Sequence, residues 1–322
     1  MKSKIKSLLA LVVLLSVSVQ TMVDAQSKDE ATSQNWELVE DWPRLPSGFE
    51  ISQVSGAAID NFGNVFVLHR TEKVDRTMTQ LITTVTVLKL DSETGDLLDS
   101  WGADKFVRPH GITVDRENNV WLTDTNLHQA FKFSNDGRLL LSIGEKATLG
   151  NDATHFGAPS DIAVTTDGSF YVSDGYDNSR VAHFSADGTF IKEWGTKGTK
   201  LGQFVVPHGI ALDSKGLVYV AYRENQRLQV FDDSGALINV WPKSGRIGRI
   251  TDVVITPKDF IYVSIGGESE QTGVRILNPK LQEVGMFVAG PDVVAHQIAV
   301  SEDNTIYLAD LRSGRILKYA LR

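Results

Sequence analysis

Short apolar runs alternate with polar turns along nearly the whole chain, and this pattern repeats six times. Each unit predicts an apolar strand, a polar turn, a second strand with alternating apolar residues, another turn and a third strand. The first residues of the units, here called anchor residues, lie 43 to 55 residues apart: Ser55, His110, Ser160, His208, Thr251 and His296. Repeats of about this length, each an antiparallel sheet, are typical of propeller blades. The pattern therefore predicts an all-β protein, a six-bladed β-propeller.

The two ends of the repeat region complement each other. The sixth unit ends with its third strand, near Ile316 to Leu321, and so lacks an outer strand. An unassigned segment with apolar residues, from Trp36 to Trp42, precedes the first unit. We predict that this N-terminal segment forms the missing strand and closes the last blade, since a closed ring leaves no exposed sheet edge there. The propeller domain would span residues 36–322.

The first 25 residues differ from the rest in kind. Lys2, Lys4 and Lys6 precede an apolar run from Leu8 to Val17, and small residues lead up to Gln26. This order is typical of a secretory signal peptide rather than of a membrane span. We predict that residues 1–25 are removed, that the polar residues 26–35 are disordered, and that the mature protein is secreted or periplasmic without a membrane span.

Composition narrows the class of partner. The formal net charge is −8 at pH 7, and the chain contains no cysteine. Acidic proteins repel the phosphate backbone, so nucleic acid is not expected as a partner. Without cysteines there is no disulfide framework, so stability must come from sheet packing and ring closure. We expect a monomer that acts on a small molecule or a peptide.

The anchor residues give the strongest indication of a functional site. Three of the seven histidines, His110, His208 and His296, are the anchors of alternate units. In a six-bladed ring these positions lie about 120° apart around the central channel. Three histidines with one open coordination position are typical of a catalytic zinc site. The alternative is that these side chains satisfy backbone groups at the channel mouth.

Two arginines share a second register. Arg70 and Arg223 each lie fifteen residues after an anchor, in blades that face each other across the ring. Two guanidinium groups directed at one cavity would suit a carboxylate, although both could instead form surface salt bridges. Tyr176 lies one register position later in the third unit, where nearby positive charge would favour its phenolate form. On spacing alone, Tyr176 is a candidate base.

Other recurrent polar residues fit a structural role. Asp124, Asp174 and Asp310 share one register position in three units, as expected for side chains that hold a turn by hydrogen bonds to the backbone. The remaining histidines share no register: His69, His128, His155 and His183. We expect these histidines to be satisfied locally.

Several longer motifs resemble a known family. The unit pattern resembles the NHL repeat. More specific motifs are similar to the peptidyl-α-hydroxyglycine α-amidating lyases: Val67-Leu68-His69-Arg70, Pro109-His110-Gly111, the segment from Ser173 to Arg180, the segment from Gly202 to His208, and Arg223-Glu224-Asn225. This resemblance covers essentially the whole predicted ring. It implies cleavage of the C–N bond of a peptide or N-acyl compound ending in α-hydroxyglycine, with release of an amide and glyoxylate.

The resemblance also implies roles for individual residues. The zinc ligands would be His110, His208 and His296. The catalytic base would be Tyr176, and Arg70 and Arg223 would bind the carboxylate end of the substrate.

The same resemblance implies a calcium site, from which this chain departs. The backbone carbonyl groups would be those of Ala57 and Ile112, next to an aspartate directly after the third histidine. The chain has Gln297 at that position, and one carboxylate fewer weakens the attraction for calcium.

Two other classes of function stay open at this stage. A non-enzymatic NHL-type propeller could bind a ligand or a protein at its channel mouth. A metal-dependent propeller hydrolase, a lactonase or an esterase, could use the same architecture. Binding alone has no need of three convergent histidines, and metal identity would separate the two enzyme classes.

Overall fold

The computed structural model describes residues 35–70, 74–242, 247–267 and 272–322. Within these ranges the alternating pattern forms six four-stranded antiparallel sheets, as the repeats predict. The expected signal peptide and the polar residues 26–34 lie outside the described residues. None of the described residues forms a helix of the length and apolarity needed to cross a lipid bilayer.

The first three blades follow one another along the chain. Blade 1 contains β2 (Gly56–Ile59), β3 (Val65–Leu68), β4 (Val87–Leu90) and β5 (Leu97–Trp101). Blade 2 contains β6 (Pro109–Val114), β7 (Val120–Asp124), β8 (Gln129–Phe133) and β9 (Leu139–Ile143). Blade 3 contains β10 (Pro159–Val164), β11 (Phe170–Asp174), β12 (Arg180–Phe184) and β13 (Phe190–Trp194).

The last three blades complete the ring. Blade 4 contains β14 (Pro207–Leu212), β15 (Val218–Tyr222), β16 (Arg227–Phe231) and β17 (Leu237–Trp241). Blade 5 contains β18 (Arg249–Ile255), β19 (Ile261–Gly266), β20 (Gly273–Leu277) and β21 (Glu283–Val288). Blade 6 contains β22 (Ala295–Val300), β23 (Ile306–Asp310) and β24 (Arg315–Leu321), and its outer strand is β1 (Trp36–Leu38).

The N-terminal strand closes the last blade, which confirms the prediction from sequence. Strand β1 pairs antiparallel with β24, with Trp36 opposite Leu321 and Leu38 opposite Tyr319. The indole of Trp36 also donates a hydrogen bond to the carbonyl oxygen of Asn304, at 3.0 Å. The first and last described strands of the chain therefore stabilise one sheet together.

The hydrophobic core lies between neighbouring blades. One cluster joins Phe66 and Leu68 of blade 1 to Leu122 and Phe133 of blade 2, and five further clusters join other neighbouring sheets in the same way. The middle strands, such as β7 and β11, are buried on both faces. This packing fixes the innermost strand of each blade around the central channel.

A bulge occurs where most innermost strands begin. In blades 2 to 6 the register between the first and second strand shifts at or beside the anchor residue. A bulge adds one residue to one strand and redirects neighbouring side chains. Two consecutive residues, the anchor and the one after it, can therefore both reach the channel.

Candidate active site

The three anchor histidines meet at one point of the channel. His110, His208 and His296 are buried, with 2%, 2% and 6% of their surface exposed. One ring nitrogen from each lies within 4.8 Å of the others. The three ring centroids are 4.6 to 5.0 Å apart, in edge-on arrangements. The structure thus brings together these three histidines, here called the tripod, as their shared register predicts.

Each histidine is oriented by the anchor residue of the next blade. The Nδ1 atom of His110 lies 2.8 Å from the carbonyl oxygen of Ser160. The corresponding distances are 2.5 Å from His208 to Thr251 and 2.6 Å from His296 to Ser55. A carbonyl oxygen only accepts, so each Nδ1 donates its proton and each Nε2 carries a lone pair.

The anchors between the histidines continue these hydrogen bonds around the channel. The hydroxyl groups of Ser55, Ser160 and Thr251 donate to the carbonyl oxygens of Pro109, Pro207 and Ala295, at 3.3, 3.0 and 3.0 Å. Each acceptor is the residue directly before a tripod histidine. Six hydrogen bonds therefore link the six blades in a closed ring, a role of Ser55, Ser160 and Thr251 that the sequence did not reveal.

Burial keeps the three imidazoles neutral. Desolvation lowers the pKa of His110 and of His208 well below the usual value, and it lowers the pKa of His296 to about 3. Neutral imidazole is the form that binds metal.

The tripod has more acceptors than donors. The Nε2 atoms of His110 and His208 lie 2.9 and 3.0 Å from the hydroxyl oxygen of Tyr176. One hydroxyl proton can satisfy only one of these lone pairs at a time. A cation at the centre would satisfy all three nitrogens, so the donor set fits a metal ion.

Tyr176 and Arg223 lie together beside the tripod. Tyr176 follows β11, and Arg223 follows β15 in the next blade. The Nη1 atom of Arg223 donates to the hydroxyl oxygen of Tyr176 at 3.2 Å, and its Nε donates to Glu224 at 2.9 Å. The sequence predicted both residues for the site, and the structure places them in direct contact.

Arg70 approaches from the opposite blade and is held by neutral groups. Its Nε donates to the carbonyl oxygen of Pro109 at 2.9 Å, and its Nη1 donates to Gln53 at 3.3 Å. Arg70 is 2% exposed, and burial lowers its pKa to about 10. Its charge acts on Tyr176, His110 and His296, so Arg70 belongs to the same site.

Two more arginines surround Tyr176, and the sequence analysis missed both. The guanidinium carbons of Arg76 and Arg108 lie 5.5 and 5.8 Å from the centroid of the Tyr176 ring, and that of Arg223 lies at 5.3 Å. Arg76 pairs with Asp177. Arg108 had a detectable signal, since it stands two residues before a tripod histidine, whereas Arg76 lies in the long connection between β3 and β4.

A second layer of polar side chains follows the tripod along the channel. Asp161, Asp252 and Gln297 come directly after the anchors of blades 3, 5 and 6 and line a cavity of about 420 Å³, together with Ala57 and Ile112. The carboxamide of Gln297 accepts from the Ile112 amide and donates to Asp161, both at 3.2 Å. The residues of the expected calcium site therefore lie together, and calcium binding stays a prediction.

The two carboxyl groups of this layer were not predicted. Burial raises the pKa of Asp161 to about 7, and burial together with the neighbouring Asp161 charge raises the pKa of Asp252 well above its usual value. In the sequence, these two carboxyl groups could have been identified as channel residues from their positions directly after the anchors Ser160 and Thr251.

The recurrent aspartates and the other histidines lie away from the tripod. Asp124 accepts hydrogen bonds from the backbone amides of Val107 and Arg108, and Asp174 and Asp310 accept similar bonds. These contacts agree with a structural role. His155 is partly exposed and contacts Asp152 and Glu145. The expectation of local hydrogen bonds is wrong for His69 and His183, since none of their ring nitrogens has a hydrogen-bond partner among the described residues. Desolvation lowers the pKa of the buried His69 to about 4.

Comparison with known proteins gives the fold and the family. The NHL repeat model matches residues 156–184 and 204–231, in blades 3 and 4. A streptogramin B lyase structure is similar, with a TM-score of 0.59 and 15% identity over 90% of this chain and 98% of that chain. At that identity the similarity shows the fold alone.

Proteins that are similar in sequence identify the family, which the structural similarity does not. The chain is 32% identical to the Xenopus laevis "Peptidyl-glycine alpha-amidating monooxygenase B" over 92% of its length, and it spans only 37% of that protein. It is 30% identical to the Caenorhabditis elegans "Probable peptidyl-alpha-hydroxyglycine alpha-amidating lyase", with 84% of this chain and 83% of that protein covered. The chain therefore belongs to the peptidyl-α-hydroxyglycine α-amidating lyase family.

Proposed function

We propose that this protein is a zinc-dependent carbon–nitrogen lyase that converts a peptidyl- or N-acyl-α-hydroxyglycine into an amide and glyoxylate. One observation carries the proposal: three neutral histidines present their Nε2 lone pairs to one point, and Tyr176 touches two of them. A non-enzymatic propeller has no use for this donor set. Family membership supplies the reaction class.

The tripod would hold the zinc ion, and the surrounding residues would handle the substrate. Bound zinc would supply Lewis acidity that stabilises negative charge on a substrate oxygen. Arg223 and Arg70 provide positive charge on two sides of the tripod, and they would bind the carboxylate end of the substrate. This arrangement would orient the α-hydroxyl group towards Tyr176.

The reaction needs one proton to move and one bond to break. The phenolate oxygen of Tyr176 would accept the α-hydroxyl proton, and the C–O bond would become the aldehyde group of glyoxylate. The C–N bond breaks with its electron pair on nitrogen. Tyr176 would return the proton to that nitrogen, and the amide leaves. Atoms and charge balance without any oxidant.

The experiment uses the purified protein with α-hydroxyhippurate, a small N-acyl-α-hydroxyglycine. Metal content and release of glyoxylate and benzamide are measured on the same sample. We expect one zinc ion per chain and equimolar products, both lost after chelation and restored by zinc. A metal-loaded protein that releases no glyoxylate but hydrolyses a lactone or an ester would contradict the lyase proposal, and a protein that binds no metal would favour a binding propeller.

A separate proposal concerns the compartment in which the protein acts, and it rests on the N-terminal residues. We propose export of a monomer to the periplasm or the extracellular space after removal of residues 1–25, because these residues have the order of a signal peptide. Intact-mass measurement of the protein recovered from its native host tests this point. A mature chain that still begins at Met1 would contradict it.

A further inference from the structure

Positive charge around Tyr176 exceeds the negative charge that the described residues supply. Arg76 and Arg223 pair with Asp177 and Glu224. Within the described ranges, no carboxylate lies within ion-pair distance of Arg70 or Arg108. Desolvation lowers the pKa of both guanidinium groups; like-charge repulsion from Arg108 lowers that of Arg70 further, and repulsion from Arg76 and Arg223 lowers that of Arg108. The charge of Asp124 raises the pKa of both arginines, but its carboxylate accepts backbone amides and forms no ion pair with either guanidinium group. Desolvated charges without a paired carboxylate are costly, so this arrangement favours an anionic ligand.

Arg108 is less buried than Arg70, and the Nε–Nη2 edge of its guanidinium group makes no hydrogen bond in the described part of the chain, where Nη2 of Arg70 also has no partner. The backbone amide of Arg108 donates to Asp124 at 2.8 Å, and its Nη1 donates to the hydroxyl of Thr125 at 3.0 Å. Its Nε is buried and has no hydrogen-bond partner in the described part of the chain. The Nε and Nη2 atoms form one edge of the guanidinium group, and such an edge matches the two oxygens of a carboxylate.

Arg108 and Arg223 would bind groups at different places beside the tripod. Arg223 donates to the hydroxyl oxygen of Tyr176, where the proton transfer of the proposed reaction takes place. Arg108 lies 5.8 Å from the ring centroid of Tyr176 and makes no hydrogen bond to that hydroxyl. A group bound by Arg108 would therefore lie farther from the reacting carbon than one bound by Arg223.

We propose that Arg108 is a specificity-determining residue that binds a second carboxylate of the substrate, on the acyl side of the scissile bond. The preferred substrate would be a dianion, such as a peptidyl-α-hydroxyglycine whose preceding residue is Asp or Glu. This inference rests on the proposed lyase function and adds the substrate class.

The test compares two substrates that differ in one charge. N-acetyl-glutamyl-α-hydroxyglycine and N-acetyl-glutaminyl-α-hydroxyglycine have nearly the same shape. We expect kcat/KM to be on the order of tenfold higher for the glutamyl substrate, as one charge-assisted bidentate contact allows. In Arg108→Met the ratio should fall to about one, and Arg108→Lys should be intermediate because it keeps the charge but loses the paired donors.

The control variant is Arg138→Met, which removes an exposed arginine from the turn before β9 in the same blade. It should keep the substrate ratio of the parent protein. Equal rates on the two substrates in the parent, or an unchanged ratio in Arg108→Met, would overturn the role of Arg108.

A binding measurement separates this proposal from the lyase proposal. If neither substrate releases glyoxylate, calorimetry with 2-hydroxyglutarate and its δ-amide, which have no scissile C–N bond, still tests Arg108. Tighter binding of the dicarboxylate by the parent, with no such preference in Arg108→Met, would support the second carboxylate site. The same affinity for both compounds in the parent would contradict it.

Discussion

Two consecutive layers of the channel, formed by adjacent backbone positions, carry side chains of opposite chemistry. The anchor layer presents three histidine nitrogens, and the layer one residue further presents two carboxyl groups and an amide from Asp161, Asp252 and Gln297. The three histidines are identical in kind and regularly spaced, and each is oriented by the next blade. The second layer is asymmetric, because blades 1, 2 and 4 carry Gly56, Gly111 and Gly209 there. The fold thus permits a site at either layer, and side-chain identity decides its chemistry.

Burial acts on the two layers with opposite sign. The pKa of His296 falls from 6.5 to about 3, so the stability that the neutral imidazole contributes is present above pH 6.5 and is lost as pH falls towards 3. The pKa of Asp161 rises from 3.8 to about 7, so its contribution is present below pH 3.8 and is lost as pH rises through 7. At neutral pH the histidine layer is therefore in the neutral form that binds a cation. The carboxyl layer destabilises the fold at neutral pH unless a cation or a proton compensates its negative charge.

The largest effect is expected from removing one nitrogen of the anchor layer. His208→Ala should lower zinc affinity by more than about 100-fold, because loss of outer-shell partners alone costs about 10- to 100-fold. Lyase activity should disappear with the metal. Metal analysis after dialysis against a weak chelator measures the effect. His155→Ala, at a partly exposed histidine outside the tripod, should keep its zinc. Equal zinc retention in both variants would mean that the tripod is not the metal site.

The next largest effect is expected from removing the hydroxyl group of Tyr176, which tests proton transfer separately from metal binding. Tyr176→Phe removes the hydroxyl but keeps the ring, and kcat should fall by about 10²- to 10⁴-fold, the usual contribution of a general base. Zinc content should not change, since the three histidines are intact. Steady-state kinetics and metal analysis on one preparation give both values. Full activity in this variant would remove Tyr176 from the proton-transfer role.

A change in the second layer should alter stability rather than turnover. In Asp252→Asn one of two neighbouring buried carboxyl groups becomes neutral, while the amide oxygen can still accept from the Ile298 amide. We expect a gain of roughly 1–2 kcal/mol in the free energy of unfolding at pH 8 with chelator, and little change at pH 4. Denaturant titrations at both pH values measure this difference. Asp136→Asn, at an exposed aspartate, is the control; a loss of stability at pH 8 in Asp252→Asn would show that the two carboxylates do not repel each other.

The smallest effect concerns the calcium site that the family resemblance implies. Gln297→Asp would place a third carboxyl group beside Asp161, which should destabilise the protein by about 1 kcal/mol in chelator. Calcium should then raise the melting temperature of the variant more than that of the parent, because each added carboxylate strengthens calcium binding. Thermal denaturation with and without calcium checks this expectation. Identical calcium responses would place calcium binding, if it occurs, elsewhere.

The regular parts of the molecule were predictable because they follow from periodicity. The six blades and the tripod follow from the spacing of the anchors, and the closing N-terminal strand follows from the outer strand that the sixth unit lacks. Asp161 and Asp252 were missed for a physical reason: strict alternation in a strand would turn them away from the face that their anchors occupy, whereas the bulges bring both residues to the channel. Arg76 was missed because the path of the connection after β3 depends on tertiary packing.

Because the ring of hydrogen bonds is closed, the proposed metal site is complete only when all six blades are in place. His296 of the last blade bonds to Ser55 of the first blade, across 241 residues of sequence. A partly folded chain with only five blades in place would leave this histidine without its partner, and the third Nε2 would not be aligned. The contact between the last and the first blade also depends on β1, which joins the two ends of the described chain in one sheet. Metal capture would therefore come after ring closure, and a chain with a damaged N-terminal strand would be recognisable by its failure to retain zinc.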